Sequence, residues 1–131
     1  PADFFAHRLP GLADDRAAHF FAENARVPQM RDALARRDAA QYLRLMNASG
    51  RSSEQLLRNI QVPGGDDRLA RGLTCAAALL DGVGAWRVHG GGFAGGVQAL
   101  MPCDVFPAYR QAMEARFGAG SCRELRITRV E

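Results

Sequence analysis

Apolar residues recur at three- and four-residue intervals through most of the chain and at two-residue intervals only near its end, which predicts helices first and a small sheet after them. From Asp14 onward Ala17, Phe20, Phe21, Ala25, Met30 and Leu34 share one helical face. Pro28 interrupts that face and predicts a kink or break near Arg26, because its ring blocks the hydrogen bond of the preceding turn. Asp38 is a good N-cap for a second helix carrying Tyr42, Leu43, Leu45 and Met46 inward, and "NASG" ends it near Gly50. The run "SEQLLRNI" adds one or two helical turns, and "QVPGGDD" is a loop. Asp66 or Asp67 caps the next helix, where Leu69, Leu73, Ala76 and Leu80 align and Gly82 supplies a left-handed stop.

The period then changes. "GAWRV" and "GVQALM" read as two strands of an antiparallel pair, Asp104 caps a helix with Phe106, Tyr109, Met113 and Phe117 on one side and Gly118 at its end, and "RELRITRV" alternates as an edge strand does. Residues 1–13, with Pro10-Gly11, read as an irregular lead-in and a truncation edge to a single domain spanning 1–131. The fold class is α+β: most of a ferredoxin-like split β-α-β unit with an antiparallel sheet of about three to four strands and extra helices in front.

Composition narrows the chemistry. The length of 131 residues suits one core, and no apolar run reaches the roughly 20 residues of a membrane span. Three cysteines, Cys75, Cys103 and Cys122, make neither a CxxC pair nor a disulfide framework, which favours a reducing cytoplasm. All seventeen basic residues are Arg, so a P-loop lysine, a kinase strand lysine and a Schiff base are excluded within this chain. The formal charge of +3 is scattered opposite acids and gives no nucleic-acid footprint.

Between the paired strands lies "GGGFAGG", with five glycines in seven residues. Gly90, Gly92 and Gly95 match GxGxxG in letters, but the dinucleotide fingerprint requires a helix after the loop and "VQALMP" reads as strand. The other readings are a structural hairpin turn, or a bare backbone that a second loop or an anion approaches closely, with Phe93 anchoring it from beneath. His89 reads as a strand residue, and Asp66-Asp67 as a helix N-terminus in place of a cation site.

"RVHGGGFAGGVQALMP" resembles the third conserved motif of the GHMP small-molecule kinases in its galactokinase form. Arg16–Leu57, with its "EN-RV" and "LMN-S" stretches, is similar in order to the helical region before that motif, and Phe106–Val130 to the closing helix and strand. The chain departs from the pattern at Gly50, where a histidine is common, at "QVPGGDD", and at Ala94. The resemblance implies the C-terminal domain of an enzyme that moves the γ-phosphate of ATP, with Mg, to the 1-hydroxyl of galactose in the cytoplasm. It implies that Gly90, Gly91, Gly92, Phe93, Gly95 and Gly96 lie against the phosphate-cradling loop of an N-terminal kinase domain. The sugar-gripping motif, that phosphate loop and the catalytic residues all belong to the absent domain, so no catalytic residue is assigned here. The isolated chain is expected to be inactive. The closing strand would pair with a strand preceding residue 1; left exposed it invites a homodimer, and otherwise it finds a different neighbour. A GHMP kinase of another sugar or small alcohol, and a non-catalytic ligand-binding module derived from one, stand as alternatives.

Overall fold

The computed structural model describes residues 11–60, 64–92 and 95–126. Its elements are helices α1 (Leu12–Ala35) and α2 (Ala39–Ser52), a π-helical turn (Ser53–Leu57), α3 (Arg68–Leu80), strands β1 (Ala85–Val88) and β2 (Val97–Leu100), and α4 (Phe106–Phe117). The class is α+β: the described residues form four α-helices and a two-stranded antiparallel sheet. Ala85 pairs with Leu100, and Val88 with Val97. Of the closing strand expected over "RELRITRV", residues 123–126 carry no regular structure and 127–130 lie outside the described residues.

Elements with strong local signals form as expected. Asp38 caps α2, its Oδ1 accepting from the Gln41 N–H at 2.9 Å. Leu69, Ala76 and Leu80 are buried along α3, and Gly82, at φ 75°, turns the chain after it. Asp66, not the N-cap Asp67, supplies the acid at the start of α3, accepting from the Arg68 N–H at 2.9 Å. Its hydrogen bonds to the Arg68 side chain and N–H, aided by the Arg68 charge, hold its carboxyl down at about 2. Tyr109 is buried in α4 against Ala76 and Leu80, and Gly118 ends that helix at φ 98°. Burial, with the nearby Cys122 and Cys75 thiols, pushes the Tyr109 hydroxyl up to about 12.

Four expectations are corrected. First, α1 begins at Leu12 and runs unbroken through Pro28, with no break near Arg26; the Gln29 side chain donates to the Ala25 carbonyl one residue on from the carbonyl that Pro28 leaves without its helical donor. Second, the apolar face read from α1 is not the buried one, since Phe20 is 59% exposed and Leu34 60% exposed. The helix docks instead through His19 and Glu23, which reach polar groups of α2 and β1, with Arg26 pairing to Glu23 within the helix. Third, α2 does not end at Gly50 but continues to Ser52 and winds into the π turn. Gly50 is where α2 crosses β1: a Cβ there would lie 2.9 Å from the Trp86 carbonyl oxygen and 3.1 Å from the Arg87 Cβ. Fourth, Asp104 does not cap α4; Val105 holds the cap position with no side-chain bond, and Pro107 sets the first turn.

Helix α2 also closes the outer edge of β1. The Asn47 Nδ2 donates to the Gly84 carbonyl at 3.3 Å, and its Oδ1 accepts from the Trp86 N–H at 2.9 Å. One side chain thereby makes two contacts of the kind a neighbouring strand would make.

Candidate functional site

The glycine loop connects β1 to β2, so a strand and not a helix follows it, and the dinucleotide fingerprint lacks its structural context. His89 lies just past β1, is exposed, and closes the base of the loop by donating its backbone N–H to the Gly96 carbonyl at 2.8 Å. Inside it, the Gly95 N–H reaches the Gly92 carbonyl at 3.2 Å. Phe93 and Ala94, and with them the anchoring expected of Phe93, lie outside the described residues.

The glycines differ in what demands them. Gly92 has φ 79° and presses on the residue after the π turn: a Cβ on it would sit 2.1 Å from the Asn59 carbonyl oxygen and 2.9 Å from the Asn59 Cγ. Gly90 needs glycine for its φ of 62°, with open space around it. Gly91 and Gly96 have no left-handed φ, a Cβ on either would meet no atom within 4 Å, and both are exposed. Nothing among the described residues requires glycine at either position. Gly95 is exposed and meets only its own loop.

Asn59 is the residue that sequence reasoning missed. Arg58, left-handed at φ 54°, ends the π turn by donating its N–H to the Ser53 carbonyl, and its guanidinium reaches Asp15 at 2.8 Å. That anchor places Asn59 beneath Gly92, 1% exposed, with neither Oδ1 nor Nδ2 hydrogen-bonded among the described residues. An unpaired buried amide is costly, about 1–3 kcal/mol for each group left without a partner. No local signal in "LLRNIQ" distinguishes it from an ordinary surface asparagine.

Beside β1 the polar groups are paired. Glu23 of α1 accepts from the Ser49 hydroxyl at 2.6 Å, the Arg87 Nη1 donates to the same hydroxyl oxygen at 2.6 Å, and Arg26 pairs with Glu23. His19 Nδ1 meets the Ser52 hydroxyl at 2.8 Å. Burial lowers the Arg87 and Arg26 affinity for protons, and for Arg26 the Arg87 and Arg51 charges add to it. This layer fixes β1, and so the start of the loop, against α1 and α2. A groove of about 380 Å³ lies between α2, α3 and β1, lined by Asn47, Gly50, Arg51, Leu73 and Trp86 among others, and includes none of the loop glycines.

Among the described residues no group of three or more His, Cys, Asp or Glu side chains is placed to hold a metal ion. No described helix is long and apolar enough to cross a membrane. Compared with models of known protein families, the chain matches none.

Proposed function

We propose that this chain is the C-terminal domain of a galactokinase-like GHMP kinase, and that its glycine loop forms one wall of an ATP site completed by an N-terminal domain. The observation that carries the reading is the pair Gly91 and Gly96, glycines on an exposed loop whose own fold gives no reason for them. A neighbour that comes close to bare backbone supplies that reason. The order of blocks around the loop, "EN-RV", "LMN-S" and the closing helix, supports the same family.

Under this reading the chain contributes shape and backbone, and the triphosphate, Mg²⁺ and galactose are held mainly by the other domain. Phosphoryl transfer rests on positioning and on charge stabilisation around the transferring group, and a glycine loop alone supplies little of either. The isolated chain therefore releases no ADP from ATP and galactose. In a polypeptide that also carries the phosphate-loop domain, Gly91→Leu lowers kcat by about tenfold or more, the size expected when a positioning contact is lost. The unfolding midpoint of the isolated chain stays unchanged, because the substituted position is open. Turnover by the isolated chain, or full activity of the Gly91→Leu enzyme, refutes the assignment. The sheet of three to four strands belongs to the same proposal: a strand of the missing domain pairs with the closing strand, and isolated copies associate through it, as a concentration-dependent dimer in light scattering would reveal.

A further inference from the structure

The unpartnered amide of Asn59 identifies what the glycine loop receives. The residue is 1% exposed, its Oδ1 and Nδ2 both lack hydrogen bonds among the described residues, and Gly92 packs against it so closely that a Cβ there would lie 2.9 Å from the Asn59 Cγ. Leucine has nearly the same size and branching and would fill the space without a polar penalty, so packing gives no reason for an amide here.

The chemistry of the amide selects its ligand. It offers a donor and an acceptor about 2 Å apart, and both need a partner. A carboxylate or a fully ionised phosphate group accepts only, and would leave Oδ1 facing negative charge; a cation would leave Nδ2 unpaired in the same way. A stretch of polypeptide backbone presents an N–H and a C=O on the same side, which suits both atoms. The chain already uses an asparagine in this manner, since Asn47 brackets β1 through the Gly84 carbonyl and the Trp86 N–H.

We propose that Asn59 is a docking group for an extended backbone segment of a second loop, which bonds both ends of the amide when Gly92 moves off it. This rests on the reading above that a second loop packs on the glycine turn, and it names the residue and the chemistry of that contact. Within the loop, the hydrogen bond that the Gly95 N–H donates to the Gly92 carbonyl, at 3.2 Å, is at the long end of the backbone range. The open glycines Gly90, Gly91 and Gly96 leave the incoming segment room.

Two measurements on the 131-residue chain test it. In urea, Asn59→Leu leaves the unfolding midpoint unchanged or raises it, because the amide has no partner to lose; a lowered midpoint means an internal partner and overturns the proposal. In a ¹⁵N–¹H titration of the unsubstituted chain, N-acetyl-diglycine N-methylamide shifts the Asn59 side-chain NH₂ pair saturably, and sodium phosphate at the same concentration does not. A shift with phosphate makes this an anion site, and a response to neither probe removes the site; both outcomes overturn the proposal. Asn59→Leu also abolishes the peptide-induced shifts of the loop glycines, and their persistence places the peptide elsewhere. Neither measurement involves nucleotide or sugar. Saturable peptide binding beside a catalytically dead longer polypeptide would leave this inference standing and the kinase reading refuted.

Discussion

Asn47 and Asn59 are both asparagines at the boundary between α2 and the hairpin, and they do opposite things. Asn47 uses its donor and its acceptor to finish the outer edge of β1. Asn59, more deeply buried, uses neither. The first is an amide whose partner lies in the same chain, so it contributes to folding. The second is an amide whose desolvation opposes folding, and its proposed partner lies in a second loop. On that proposal, similar chemistry a few turns apart does two jobs, one holding the domain together and one left for the incoming segment.

The largest effect that would sharpen this contrast comes from Asn47. Asn47→Leu leaves the Trp86 N–H and the Gly84 carbonyl without their side-chain partner and is expected to destabilise the chain by about 2–6 kcal/mol, the sum of two such losses. Urea unfolding followed by circular dichroism measures it. If Asn47→Leu and Asn59→Leu move the midpoint by the same amount and in the same direction, the distinction between the two asparagines is lost.

Gly50 tests the same edge by size instead of polarity. In a helix, Gly→Ala ordinarily gains about 1 kcal/mol. Here the new methyl meets the Trp86 carbonyl oxygen at 2.9 Å, and overpacking against backbone costs about 1–3 kcal/mol. The cost exceeds the propensity gain, so Gly50→Ala should lower the unfolding free energy by up to about 2 kcal/mol. A stabilised variant would show that α2 does not clamp the edge of β1.

How much of this was readable beforehand follows the range of the forces involved. The Asp38 cap, the stops at Gly82 and Gly118, and the hairpin were legible because each is set by residues within a few positions. The inward face of α1 was not, because helical periodicity assumes an apolar neighbour, and the neighbour that α1 meets offers Ser49, Ser52 and Arg87. Gly50 was misread as a stop for a similar reason: a glycine that ends a helix and one that admits a strand look alike until the strand is placed. In the loop, the density of glycine was visible, but which glycines the fold itself consumes was not. Gly92 is used by Asn59, and Gly91 and Gly96 are left over.

The smallest effect probes the paired polar layer through His19. Burial first, then the nearby Arg87 and Arg26 charges, lower its proton affinity below the ordinary histidine value of 6.5, with the Ser52 contact opposing them. The folded state therefore binds a proton less readily than the unfolded one. Its contribution to stability is complete above about pH 6.5 and declines as pH falls through that value towards the depressed folded pKa, below which the loss levels off. His19 is only partly buried, so water screens the Arg87 and Arg26 charges and the decline is shallow. Urea midpoints at about pH 7.5, 6.5 and 5.5 should fall in that order. His19→Gln, which keeps a hydrogen-bonding group towards Ser52 but has no proton to gain, should flatten the series. An unchanged slope would mean that the acid sensitivity comes from the carboxylates and that the layer beside β1 tolerates an added charge.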